Sequence, residues 1–515
     1  MEISDQNSDI IYLGEDELPI NDVCINDVSF HFECGGNDIP GTSQQQGNGT
    51  FNVELLGEQF YDGGDEEDEE EDRIPWYHTP DVVLAKIASY LTQWDKSEMS
   101  LVCKNWNRVI LAAPRLWRHR IIRLRGNFKD RSHVIYANIL GRFLSRLHLS
   151  SGLRSLRHAR KFQRTFTAIF AELYRQRVQL KELSLTELKF HVHFRGVPGG
   201  RARQGIIRSA RRFLGRQAIL RYLDLNYGGM TCEEGTALLQ AASEKSSRVL
   251  KALDIEELFR PGAPVHQSSE FAETLPRFVN LVQLTMNYSA LSDELLRNLA
   301  RESNGLLEFF HVRCIRGENL NHIVGTPAWR AFSGRMSKCQ LEFSLIGVIR
   351  LNDIQRVLTP QMPLQILSVV GHNDDSFQPD RTLKYISRYL NNTVEKVVID
   401  VTPCYKLYGR GFIDIIRDSP RLRHLEVRGR IRWHVIHDVF EFLDINFVRR
   451  GVRPPLTTLR MLVTSTPIEP YEEEAFVIEE YRPVFSRFDL MYELVIEPMF
   501  FPLPLEFREP RRVHN

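Results

Sequence analysis

Hydrophobic residues are spaced in three different ways along this chain. Through about residue 72 they form short islands, such as residues 10–13 and 51–56, in polar sequence. From residue 79 they take a helical spacing. Val83, Leu84, Ile87 and Leu91 share one face, which predicts a helix over residues 79–91 with Thr79 as N-cap and Pro80 at its first position. A second helix is expected from Asp95, with Glu98 completing a capping box. Met99, Val102, Cys103, Trp106 and Ile110 fall on one stripe of that helix. Residues 114–117 open a short third helix. So small a unit is marginal alone, and a partner is expected to cover an apolar face of it.

After about residue 140 the spacing becomes that of short strands. The template L-x-x-L-x-L occurs as LSRLHL from Leu144, LKELSL from Leu180, LRYLDL from Leu220, LKALDI from Leu250 and LVQLTM from Leu281. It continues as LEFFHV from Leu307, LQILSV from Leu364, VEKVVI from Val394, LRHLEV from Leu422 and LTTLRM from Leu456. Intervals run from 26 to 57 residues, and the longest leaves room for a degenerate copy, LEFSLI, from Leu341. Helix-like stretches such as residues 292–300 lie between. A strand-plus-helix unit repeated at this period cannot bury its apolar face alone; stacking supplies the core. The expected fold class is α/β: three short helices, then an irregular leucine-rich-repeat solenoid, a horseshoe with ragged loops. The asparagine of the standard repeat is mostly missing. The expected divisions are a disordered acidic leader (1–72), the helical unit (73–120), the solenoid (121–475) and a C-terminal cap and tail (476–515).

Charge sharpens this division. The formal net charge is zero, yet residues 1–72 hold 21 Asp and Glu and no Lys or Arg, including DEEDEEED at 65–72. Residues 104–221 hold 28 Lys and Arg against 4 Asp and Glu. Such blocks act as separate electrostatic surfaces. The leader carries too little apolar surface to offset chain entropy. No apolar run is long enough for a membrane span, and the acidic N-terminus lacks a secretory pattern. Seven scattered cysteines without a C-x-x-C pair fit reduced thiols, and with them the cytoplasm, the nucleus or both.

The stretch TPDVVLAKIASYL…SLVCKNWNRVILAAPRLW resembles the F-box family, whose pattern is Leu-Pro, an apolar helix, V-C-x-x-W and a closing L-W. Pro80, Leu84, Ile87, Leu91, Val102, Cys103, Trp106, Leu116 and Trp117 stand at the matching positions. The resemblance implies that these residues bind Skp1 and, through it, a cullin. Three positions depart from the pattern: Thr79, Ala88 and Lys96 each remove apolar contact area, implying weaker Skp1 binding. The later strands are similar to those of F-box proteins with leucine-rich repeats, which implies a ubiquitin-ligase adaptor.

The basic region offers a second candidate surface. Arg201, Arg203, Arg208, Arg211, Arg212 and Arg216 cluster around a glycine-rich segment expected to be a loop, and Arg154, Arg157, Arg160, Lys161 and Arg164 form another group. Four readings stand beside one another: a solvated helical face, a dock for an acidic or phosphorylated substrate, a dock for the chain's own leader, and nucleic-acid binding. No nucleic-acid fold supports the last. Gly196, Gly199, Gly200 and Gly205 lack the G-K-[ST] of a phosphate loop. His191 and His193, on a possible strand, are too few for a metal site. No cysteine has a His and acid partner at readable spacing, and no hydrolase or kinase signature is present. No cofactor and no catalytic residue is expected. The expected function is a non-catalytic adaptor that binds Skp1 through the F-box and a protein substrate through the repeats. The alternative is a repeat scaffold without ubiquitin transfer.

Overall fold

The computed structural model describes residues 76, 79–153, 156–194, 196–318, 320–360, 362–372, 376–401, 407–431, 433–450, 455–465, 481 and 491–498. The leader, Arg154 and most of the tail lie outside these.

The helical unit comprises α1 (Asp81–Ser89), α2 (Gln93–Leu101), α3 (Lys104–Ala112) and a 3-10 turn at Pro114–Trp117. Two expectations are corrected. First, Pro80 is the N-cap of α1, not its first residue: it sits at φ −56°, ψ 140°, the extended conformation its ring favours. Second, the expected second helix is two helices. Thr92 accepts from Asp95 N at 3.2 Å while the Asp95 carboxylate accepts from Thr92 N, so the capping box is Thr92/Asp95 and not Asp95/Glu98. Cys103 is extended (φ −158°) and breaks the helix; its sulfur accepts from Trp106 N and caps α3. The stripe drawn through residues 99–110 splits at this break.

The repeats form one sheet of strands that are all parallel. They are β1 (His119–Leu124), β2 (Arg146–Ser151), β3 (Glu182–Thr186), β4 (Tyr222–Asp224), β5 (Ala252–Asp254), β6 (Gln283–Asn287), β7 (Phe309–Ile315), β8 (Gln340–Ile346), β9 (Leu364–Gly371), β10 (Lys396–Val401), β11 (Leu407–Tyr408), β12 (His424–Ile431), β13 (Thr458–Ser465) and β14 (Met491–Pro498). Each pairs with the strand before it, except that β11 is a side pairing of β12 and β10 pairs with β12 directly. Every template segment is a strand, including the degenerate copy at β8. Three strands lie beyond the expected repeats: β1, beginning at the end of the helical unit, the short β11, and β14, within the expected cap.

Register explains the pattern. Leu147, Leu183, Leu223, Leu253, Leu284, Phe310 and Leu341 stand opposite one another in successive strands. After a register shift at Leu341/Glu342 the row resumes as Phe343, Leu367, Val397, Leu425 and Leu459. All are buried, forming an unbroken apolar seam under the helices.

The helices are α4 (Arg131–Leu140), α5 (Ala159–Arg175), α6 (Phe190–His193), α7 (Gly196–Leu214), α8 (Cys232–Ser246), α9 (Ser269–Thr274) and α10 (Asp293–Glu302), with five more ending at Trp433–Leu443. The glycine-rich segment is thus helical, not a loop. Its buried Ala202, Ile206, Ala210 and Phe213 make a stripe whose packing outweighs the glycine penalty. Gly205 has a packing role: a Cβ there would lie 2.9 Å from Gln163 Nε2 on α5. On α5, Phe162, Phe166 and Phe170 stack at 6.0 and 4.5 Å, and Phe170 meets Phe213 edge-on at 5.0 Å. His191 and His193 lie on α6, not on a strand.

Two glutamine side chains tie successive repeats together. Buried Gln217 accepts from Leu180 N at 2.8 Å and donates to Val178 O at 3.1 Å, joining one repeat to the last. Gln365 likewise accepts from Leu341 N at 2.6 Å. Gln217→Leu strands a buried amide and carbonyl together, so a loss of about 2–4 kcal/mol is expected in urea unfolding. A loss below about 0.5 kcal/mol would mean that water replaces the amide without cost.

Candidate functional site

Two surfaces follow from this scaffold. The first belongs to the helical unit. Its core is Leu84, Ala88, Met99, Val109, Ile110, Leu116 and Trp117, closed by Leu140 of α4 with Tyr136 and Phe143 packed alongside. The Trp117 indole N–H donates to Ile110 O at 2.8 Å, and its ring meets Tyr136 edge-on at 6.2 Å. Arg108 pairs with Asp81 at 3.0 Å, tying α3 to α1.

The nine residues named by the family pattern therefore separate. Leu84, Leu116 and Trp117 lie inside the unit and offer no area to a partner; they set its shape. Leu91, Cys103 and Trp106 are half-buried. Pro80, Ile87 and Val102 are exposed. The departures are corrected in the same way. Ala88 is fully buried where α1 meets the core, so its small side chain takes nothing from the outer surface. Lys96 is also largely buried, and burial lowers its pKa.

The outer surface joins the pattern residues Ile87 and Val102 to four that the pattern did not supply, Val82, Val83, Tyr90 and Leu101. Val83, Ile87 and Tyr90 recur on one side of α1, with Val82 beside them, and Tyr90 is 76% exposed. At the end of α2, Leu101 and Val102 are 66% and 61% exposed. Among the described residues these side chains stay exposed on so small a unit, and exposed apolar patches in general mark interaction surfaces. The period was visible in the sequence; which side faced inward was not.

The second surface is the open face of the sheet. Ser184, Asp224, Asp254, Thr285, His311 and Glu342 stand in register along it. Asp224 and Asp254 are direct neighbours. Burial, with the Asp224 charge, pushes Asp254 up to about 6, while Asn226, His311 and Arg313 oppose the shift. Beside them Glu256 pairs with Arg313 and accepts from Tyr227 Oη, and His311 Nε2 lies 2.9 Å from Ser344 Oγ. The repeated aspartate of LRYLDL and LKALDI carried this signal in the sequence. Because the Asp254 pKa is raised above the ordinary 3.8, its share of stability is full below about 3.8 and is lost as pH rises through about 6. Asp254→Asn is therefore expected to raise Tm at pH 7.5 and to lose that advantage toward pH 4. The opposite trend in thermal melts would contradict the assignment.

Five of the six candidate arginines are exposed on or just beyond α7: Arg201, Arg208, Arg211, Arg212 and Arg216. Arg212 and Arg216 lie over the Tyr174 ring, 4.2 and 3.8 Å from its centre. Arg203 is different: it pairs with Glu234 and covers Phe190, and so is a packing residue. Arg160, Lys161 and Arg164 are exposed on α5. His437, Asp438 and Glu441 bring possible metal-ligand atoms within 4.8 Å, but both acids are exposed and His437 meets the Tyr481 hydroxyl at 3.3 Å. Among the described residues no helix is long and apolar enough to cross a membrane, and Cys103, Cys232, Cys314 and Cys339 are unbridged.

An F-box-like family model matches residues 76–123. Among solved structures, the chain is similar to "Crystal structure of TLR13-ssRNA13 complex" at a TM-score of 0.34 and 13% identity, over 75% of this chain and 50% of that one. It thus spans about half the length of that chain. The chain carries an F-box-like domain followed by a parallel α/β solenoid of the leucine-rich-repeat kind.

Proposed function

We propose that this protein is a non-catalytic substrate adaptor of a Skp1–cullin–F-box ubiquitin ligase. The observation that carries the reading is the exposed apolar surface of α1 and of the end of α2, on the segment that the F-box-like model matches. In this reading Skp1 covers Pro80, Val83, Ile87, Tyr90, Leu101 and Val102, with Leu91, Cys103 and Trp106 at the rim. Leu84, Leu116 and Trp117 hold the surface in shape. The open sheet face receives a protein substrate. The adaptor does no bond chemistry; it raises the effective concentration of substrate near a charged ubiquitin carrier.

The test is complex formation between the purified chain and purified Skp1, followed by size-exclusion chromatography with light scattering. A one-to-one complex is expected. Two folded proteins that elute separately would overturn the reading.

A further inference from the structure

On the helix layer, between α7 and α8, lies an open groove of about 610 Å3. Arg208, Arg211, Arg212 and Arg216 line it, Ile207 and Ala241 supply its apolar part, and Glu234 and Glu244 stand among them. The helix dipole accounts for cations in the last turn of α7. It does not account for Arg208, which lies further back, nor for the concavity that the four arginines line. Of the two acids, Glu234 is already neutralised by Arg203, which leaves Glu244 against four guanidiniums. Gly215 keeps that side tight: a Cβ there would lie 2.9 Å from Glu244 Oε2.

The spacing tells which anion fits. Arg208 to the end of α7 spans about 10 Å at 1.5 Å per residue. Several negative charges spread along an extended chain match that length better than a single compact anion, and each arginine can take a carboxylate in a two-pronged pair. The groove is poorly suited to nucleic acid. Its lining holds no aromatic ring on which a base could stack, and Glu244 would face a continuous phosphate backbone.

We infer that this groove binds an acidic peptide segment, an extended stretch of a partner protein bearing several carboxylates. The groove uses neither the F-box surface nor the open sheet face, so its binding goes beyond the adaptor reading and stands or falls without Skp1.

Fluorescence polarisation of a labelled oligoglutamate peptide with the full chain tests it. Saturable binding is expected, weakening as salt rises. Arg208→Ser/Arg211→Ser is expected to weaken it at least about tenfold. The control Arg160→Ser/Lys161→Ser/Arg164→Ser, on α5, is expected to change it less than about twofold. Glu244→Gln is expected to tighten binding, a gain that misfolding cannot imitate. No saturable binding, equal losses in the two arginine variants, or no gain from Glu244→Gln would overturn the proposal. So would a single-stranded RNA of equal charge that displaces the peptide at lower concentration, which would make the groove a nucleic-acid site.

Discussion

Ile87→Asp/Val102→Asp is expected to reduce Skp1 affinity at least about 100-fold while leaving the melting temperature nearly unchanged. Both residues are exposed, at 39% and 61%, so neither holds up the fold. Each would lie against an apolar partner surface in the complex. Aspartate there loses the apolar contact and also buries a charge without a partner, and stripping water from that charge costs more than the lost contact. Two such positions, one on α1 and one at the end of α2, are enough to abolish a complex of ordinary affinity. Titration calorimetry against Skp1, with thermal melts of the free variant beside it, separates binding from folding. Unchanged affinity would mean that the partner uses another surface. A variant at Trp106 would be less informative, because its half-buried ring packs against the core of the unit.

Trp117→Ala is expected to cost more stability than the other variants named above. The ring is 3% exposed, packs edge-on to Tyr136, and donates its N–H to Ile110 O. Removing it empties a large buried volume, at about 3–5 kcal/mol, and leaves the Ile110 carbonyl without that donor. Because Leu140, Tyr136 and Phe143 share this core, the damage is not confined to the F-box-like unit. Hydrogen exchange is expected to rise in α1–α3 and also in α4, while β6–β10 keep their protection. Loss of protection in α1–α3 alone would show that the two cores are energetically separate. Skp1 binding is expected to weaken too, in proportion to the unfolded fraction of the F-box.

Much of this architecture was legible because strand periodicity is a short-range signal. The ten template segments, the degenerate copy at Leu341 and the alternation of inward leucines could be read directly from the sequence. The strand at His119 was less visible, since its inward pair Ile122 and Leu124 comes without a leading leucine. The glycine-rich start of α7 misled for a related reason: local propensity favours a loop, whereas the buried stripe from Ala202 to Phe213 decides for a helix. At the F-box, the spacing placed Val83, Leu84 and Ile87 on one face. The packing of α1 on α3 divides them, with Leu84 inside and the other two outside. That division depends on the break at Cys103, which re-aims α3 and which no periodicity announces. The acids of the sheet face were present in the repeat template, but a one-strand neighbour relation between Asp224 and Asp254 needs the register.

The nearest-neighbour order of the sheet also bears on how the chain reaches its fold. Apart from the short β11, each strand finds its partner in the strand made just before it, typically some thirty residues back, and no described pairing waits for a distant segment. Loop-closure entropy rises slowly with length, so each closure costs about the same as the last. Folding can then advance repeat by repeat while the ribosome is still working.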